Sequence, residues 1–441
     1  MTSLTIAIVF VFIVGYLCIA FESGLKINKA AIALLMCVLT WTLFMLDPGS
    51  YISGLAEELP LKVSELLKHH LGDTGETLFF LMGAMTIVEI VDKNGGFNFV
   101  RKMLMTVNKR KLLWRIAFMT FILSAILDNL TTSIVMIMVL RKLVYDRNDR
   151  LIYASLIIIS ANSGGAFSPI GDVTTIMLWI RGMITTQGVI TEIFIPSLVS
   201  MVIPALILQQ GLKGQLATAQ GKGGESSGEV FSSKQRYAIF ILGVGGLMFV
   251  PIFRYLTDLP PFMGILLVLG VLWTATEIFY RNVKSKDSFS KRVSHLLSNI
   301  DMTTILFFLG ILMAVACLEE IGVLTALGEG LDKVSNGNHY LVTGVIGVLS
   351  SIVDNVPLVA GCMGMYPIAE TGDLAVDGIF WQLLAYCAGV GGSMLIIGSA
   401  AGVVVMGLEK ITFGWYMRHI TWIVFVGYIC GMCSYWLIRN L

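Results

Sequence analysis

The chain has 441 residues, 56% of them hydrophobic and 13% charged, with a formal net charge of +1 and a mean hydropathy of +0.83. This composition excludes a soluble globular domain and offers no basic footprint for nucleic acid; it is that of an all-α polytopic membrane protein. Seven cysteines are scattered, and Cys430-x-x-Cys433 has no second pair or nearby His to complete a metal or redox site.

In chain order, apolar runs long enough to span occur at about 4–21, 30–46, 77–91, 151–180, 188–208, 237–256, 261–280, 302–318, 379–408 and 414–438. The first has no basic n-region or small-residue cleavage site, so it reads as a span rather than a signal peptide. Residues 48–75 carry Glu57, Glu58, Glu65 and Asp73 around apolar positions and read as an external amphipathic helix, with His69 and His70 solvated beside it.

Two further apolar stretches, 116–140 and 340–369, share an interruption: S-A-I-L-D-N-L-T-T-S at Ser124–Ser133 and S-S-I-V-D-N-V-P-L-V at Ser350–Val359. Basic residues flank the first on both sides (Arg101, Lys102, Lys109, Arg110, Lys111 and Arg115; Arg141, Lys142, Arg147 and Arg150). Both flanks of the second are acidic. By the positive-inside rule these are two re-entrant hairpins entering from opposite faces. With ten spans and two hairpins, the inside loops hold 24 of the 30 Lys and Arg, which puts both termini outside.

Between the two hairpins, Ser160–Thr175 reads S-A-N-S-G-G-A-F-S-P-I-G-D-V-T-T inside an otherwise apolar crossing. Gly164, Gly165, Gly171 and Pro169 rule out an unbroken helix. Freed backbone groups at that depth are tolerated only inside protein or beside water. Two half-helices meeting at a polar break, with Asp172 in it, are expected. The stretch 211–235 is polar and Gly/Ser-rich, a cytoplasmic linker.

The chain repeats itself. Leu78–Leu81 recurs at Leu306–Leu309, Asp128-Asn129 at Asp354-Asn355, and Gly164-Gly165 with Gly171 at Gly391-Gly392 with Gly398, at offsets of 228, 226 and 227. An odd number of spans per half sets the halves upside-down to one another: a first inverted repeat over 1–210 and a second over 236–441, meeting near the midplane.

Acids inside spans are rare and costly. Asp128, Asp172 and Asp354 are the deep ones. At hairpin tips, Asp128 and Asp354 fit two readings, helix N-capping or ion coordination, and Asn129 and Asn355 share them. Asp172 has Ser399 as its repeat counterpart, so the fold alone does not require an acid there. Asn162, Ser163, Thr131, Thr132, Thr174, Thr175 and Ser393 add oxygen atoms around it. Carboxylate, amide and hydroxyl oxygens suit a small hard cation such as Na⁺. An anion would want Arg, Lys or helix N-termini, and no deep Arg or Lys is visible.

With these motifs in hand, the chain resembles the NhaD-type Na⁺/H⁺ antiporters of the ion transporter superfamily, from the Leu78 region to Trp415. The resemblance implies exchange of Na⁺, with Li⁺, for H⁺ across a bacterial inner membrane, in a lipid-embedded homodimer moving as an elevator. Its site residues fall on Asp128, Asn129, Thr131, Asn162, Asp172, Thr174, Thr175, Ser350 and Asn355. Pro357 stands where the first half has Thr131, a departure from equal halves. Sodium is expected on Asp172, Asp128, Asn162 and Asn129, with Na⁺ and H⁺ as substrates and no cofactor. Other superfamily activities are export of an arsenite-like oxyanion or carriage of a carboxylate. No nucleophile–base pair or metal spacing points to an enzyme.

Overall fold

The computed structural model describes residues 2–20, 25–52, 58–97, 100, 103–212, 214–216, 231–281, 292–352 and 354–440. Residues 217–230 of the expected linker, Arg101, Lys102, Glu57 and most of the 281–292 loop lie outside the described residues. Among the described residues the chain is helical throughout, with no strand and two isolated bridges, Asn108–Gln215 and Ala369–Ala375.

Helices α1 (Ser3–Ala20) and α2 (Lys29–Leu46) open the chain, and the Asn28 side chain caps α2 by accepting from the Ala30 N–H. Helix α3 (Leu59–Lys93) is a single helix of 35 residues. At about 1.5 Å per residue it exceeds a hydrocarbon core of about 30 Å. The separate amphipathic helix expected over 48–75 is therefore largely its first half, continuous with the span that follows. The stretch from Leu59 lacks a glycine until Gly72, and Pro60 sits in the first turn, where proline starts a helix instead of breaking one.

Next come α4 (Lys109–Leu127), α5 (Asn129–Leu143), α6 (Arg147–Ala166), α7 (Val173–Ile180) and α8 (Thr186–Leu208). After the linker, α9 (Ser233–Thr257) contains a π-helical turn at Ile241–Gly245, and α10 (Pro261–Tyr280) follows. The remainder is α11 (Met302–Glu320), α12 (Val323–Ser335), α13 (His339–Leu349), α14 (Asn355–Met365), α15 (Ile379–Gly391), α16 (Ala400–Glu409), α17 (Phe413–His419) and α18 (Thr421–Asn440). The run expected as one span over 414–438 is thus split at Ile420, and α12 is a helix that the apolar pattern did not mark.

Seven of the described helices are long and apolar enough to cross a membrane. With α1 and the two interrupted crossings, α6–α7 and α15–α16, they make the ten expected.

Each interruption ends in a capped half-helix. Asp128 accepts from Thr131 N–H at the start of α5, Asp172 from Thr174 N–H at α7, Asp354 from Val356 N–H at α14, and Ser399 from Gly402 N–H at α16. Side chains thereby satisfy donors that would otherwise be orphaned in a dry interior. Asp128 does so at φ 77°, ψ 158°, a conformation that costs a non-glycine residue roughly 1–3 kcal/mol.

Contacts recur at nearly the same spacing, 37 residues in the first half and 38 in the second. Ser124 Oγ donates to the Ala161 carbonyl at 2.6 Å, and Ser350 Oγ to the Ala388 carbonyl at 2.8 Å. These bonds fasten α4 to α6 and α13 to α15. A methyl group at Gly164 would land on the Phe121 carbonyl oxygen, and one at Gly391 on the Gly347 carbonyl oxygen, so both crossings depend on a bare backbone.

Neighbour relations keep this pattern when the halves are exchanged. Helix α3 packs on α10 as α11 packs on α2; α5 meets α16 as α14 meets α7; α8 and α18 pair with each other. The four half-helix ends meet in the middle of this arrangement.

Candidate functional site

Asp172 is the centre of the site and only 1% exposed. One of its oxygens, Oδ2, accepts from Asn129 Nδ2 at 2.8 Å, and Oδ1 accepts from Thr174 N–H at 3.0 Å. Asn355 Nδ2 lies 3.4 and 3.5 Å from the two oxygens. A carboxylate on a half-helix of the first half is thus held by amides from both hairpins.

Asn162, on α6 opposite the break, ties this group to the second interrupted crossing. Its Oδ1 accepts from Asn129 Nδ2 at 3.1 Å, while its own Nδ2 donates to Ser393 Oγ at 2.8 Å and to Ser399 Oγ at 2.9 Å. Every member of the group (Asn129, Asn162, Asp172, Asn355, Ser393 and Ser399) is buried. Thr175 Oγ1 donates back to the Asp172 carbonyl at 2.9 Å. Thr174 Oγ1 and Thr132 Oγ1 are buried with no hydrogen-bond partner. Leaving a buried hydroxyl unpaired is costly, so these two oxygens stand out among the polar groups of the centre.

Other expected site residues stand at one remove. Both oxygens of Asp128 are taken by Thr131, Oδ1 by its N–H and Oδ2 by its hydroxyl, each at 2.8 Å. That is the N-capping arrangement. Ser163 Oγ accepts from Ser200 Oγ at 3.0 Å, away from the amide network, and Ser350 is committed to the Ala388 carbonyl. Asp354 also caps its helix, and its Oδ2 receives Lys29 Nζ at 3.0 Å.

Lys29 is the residue that sequence reasoning passed over. It opens α2, and its ammonium also sits 4.3 Å above the Phe307 ring on α11. A lone Lys directly between a capping Asn and an apolar run was the available signal, but in the sequence it reads as an ordinary loop-end charge. His70 is a second difference. It was expected in solvent, yet it is buried with Nε2 2.8 Å from Glu320 Oε1, while His69 is exposed as expected. Glu89 pairs with Lys93 at 3.6 Å, one turn on in the same helix.

Chemically, the centre is one carboxylate among amides and hydroxyls. Among the described residues no Lys, Arg or His side chain bonds to Asp172. An Asn amide carries both donors and an acceptor. The same Asn129, Asn162 and Asn355 can donate N–H to the carboxylate or, with the amide turned, present Oδ1 to a cation. Three of the four capped helix starts carry an acid, which disfavours an anion at ends that would otherwise attract one.

The chain matches the citrate-transporter family (CitMHS) over residues 16–383. Sodium/proton antiporter 1 of Arabidopsis thaliana is 42% identical over 99% of this chain and 73% of its own length. Sodium/proton antiporter 2 of the same plant is 40% identical over 97% of this chain and 98% of its own. The Na(+)/H(+) antiporter NhaD of Alkalimonas amylolytica is 29% identical over 98% and 90%. The full-length match, together with the doubled Asp-Asn motif and the broken crossings, shows that the chain belongs to the citrate-transporter family of the ion transporter superfamily, among the NhaD-type antiporters.

Proposed function

We propose that the chain exchanges Na⁺, and also Li⁺, for H⁺ across a membrane, with cation and proton competing for Asp172. What supports this most is a single buried carboxylate surrounded by neutral amide and hydroxyl groups. Removal from water disfavours the charged form of a carboxylate, and a bound cation favours it. Cation entry then expels the proton, and exchange needs no separate proton channel. Asn129, Asn162, Asn355, Thr174, Ser393 and Ser399 supply the oxygen shell. Asp128, Asp354, Thr131, Thr175, Ser163 and Ser350 hold the half-helix ends in place around it, and the unpaired Thr132 hydroxyl is left to meet the ion or its water. The names carried by the plant and bacterial relatives support the same reading.

The reading extends to the whole molecule. The halves 1–210 and 236–441 act as inverted repeats, and the interrupted helices and hairpins move together as an elevator within a homodimer. The membrane is a bacterial inner membrane with both termini external.

An anionic cargo is the second reading, favoured by the family's description as citrate transporters. Against it stand the carboxylates at three of the four helix starts and the absence of a cationic partner on Asp172 among the described residues. Everted vesicles holding a respiration-driven proton gradient discriminate between them. NaCl and LiCl should collapse the gradient, while arsenite and citrate leave it intact. Collapse by citrate alone would install the second reading.

A further inference from the structure

A cavity of about 100 Å³ lies between the helices that carry the site and the α3–α11 pair. That is room for about three waters at roughly 30 Å³ each. Helix α7 forms one wall, with Met177 and, just past its end, Arg181. Arg181 is 42% exposed and bonds Asp73 of α3 at 2.7 Å. One helical turn inward on each helix, Met177 and Thr77 are buried. One turn further along α7 is Thr174, whose N–H caps onto Asp172 and whose hydroxyl has no partner. The inner end of the cavity is therefore about 5 Å of helix from the Asp172 cap.

The lining suits a cation with part of its water shell. Glu319 is exposed at the rim and has no ion-pair partner among the described residues. Buried His70 places Nε2 on Glu320 Oε1, and since a carboxylate accepts, Nε2 donates; in the neutral ring Nδ1 is left as an acceptor. That Nδ1 is buried without a partner, and His70 lines the cavity. A carboxylate at the rim and acceptors inside would draw in a hydrated cation and take hydrogen bonds from its waters. The Asp73–Arg181 pair meanwhile neutralises the second rim acid, so that the mouth does not hold the ion too tightly.

We propose that this cavity is the vestibule through which a small monovalent cation reaches Asp172 from the Arg181 end of the bundle, with Glu319 as its recruiting carboxylate and Met177 as the barrier at its floor. This rests on the cation-exchange reading of the same site.

The test uses Thr77→Cys and Ala316→Cys, both on the cavity wall, in the full-length protein in sealed vesicles of either orientation. Their labelling by a small cationic thiosulfonate reagent is compared with the parent chain and with buried Thr120→Cys, which does not line the cavity. Both wall positions should label from the Arg181 side only, faster than Thr120→Cys, and NaCl should slow labelling where choline chloride does not. In parallel, Glu319→Gln should raise the half-saturating Na⁺ by roughly three- to tenfold with an unchanged maximal rate. If the parent chain moves no protons with Na⁺, the exchange reading fails. If it does, and the wall cysteines stay unlabelled, or label without regard to Na⁺, or Glu319→Gln leaves half-saturation unchanged, the vestibule alone is overturned.

Discussion

Asn129 and Asp172 are 43 residues apart in the chain and 2.8 Å apart in space. Their bond joins the tip of one hairpin to the break in a transmembrane helix. Asn355, from the other half, reaches the same carboxylate at 3.4 Å. Any change in the charge of Asp172 is therefore felt at once by both hairpins, the property an exchanger needs if cargo is to alter the packing of its moving parts.

Asp128 separates capping from charge. Asn and Asp cap helices about equally well, so Asp128→Asn should insert and fold like the parent, with a melting temperature within about 2 °C in detergent. Its half-saturating Na⁺ should nevertheless rise or its exchange disappear, because the negative charge beside the site is lost. Normal exchange in Asp128→Asn would reduce the residue to a cap.

Lys29 and Asp354 form a pair whose side chains are 29% and 19% exposed. Removing one partner strands the other charge in a poorly solvated place. Lys29→Met should destabilise the protein, and Asp354→Asn added to it should recover part of the loss. A double-mutant cycle on thermal unfolding should give a coupling of about 1 kcal/mol or more. Strict additivity would mean that the contact contributes nothing.

Gly164→Ala and Gly391→Ala each put a methyl group against a carbonyl oxygen of the neighbouring helix. Overpacking of this kind costs about 1–3 kcal/mol. Both variants should unfold earlier on heating, while Gly270→Ala, whose added methyl group meets nothing within 4 Å, should not. Equal stability of all three would show that the helices separate there at little cost.

Single cysteines near Lys109–Lys111 and Asn148–Asp149 should resist an impermeant thiol reagent added outside intact cells, and one near Gly372 should react. Reaction near Asn148 would place the first hairpin on the opposite face.

Much of this arrangement was legible because apolar length and Gly/Pro/Asp punctuation are local. The ten crossings, the breaks at Gly164–Asp172 and Gly391–Ser399, and the Asp-Asn tips all follow from short windows and their repetition. What stayed hidden depended on partners distant in the chain. Lys29 meets Asp354 across 325 residues and His70 meets Glu320 across 250. Neither Lys29 nor His70 carries a local mark of its partner. Helix α3 looks like two elements in the sequence because its first half is polar, although nothing in its backbone breaks it. The site was legible in its members but not in their division of labour. Asp128 and Asp172 look alike as deep acids, yet Asp128 has both oxygens on its own first turn while Asp172 gathers amides from both halves.

Competition at Asp172 is tested most directly by the half-maximal Na⁺ concentration for proton movement as a function of pH, in vesicles carrying the parent chain or Asp172→Asn. Protons occupy the carboxylate at low pH and must leave before Na⁺ enters, so apparent Na⁺ affinity should strengthen as pH rises. For a one-proton exchange the gain is up to about tenfold per pH unit while the protonated form dominates, flattening once it does not. Asp172→Asn, which carries neither the negative charge nor the proton, should show no Na⁺-driven proton movement at any pH. A half-maximal Na⁺ concentration that is independent of pH in the parent, or exchange that survives in Asp172→Asn, would contradict it.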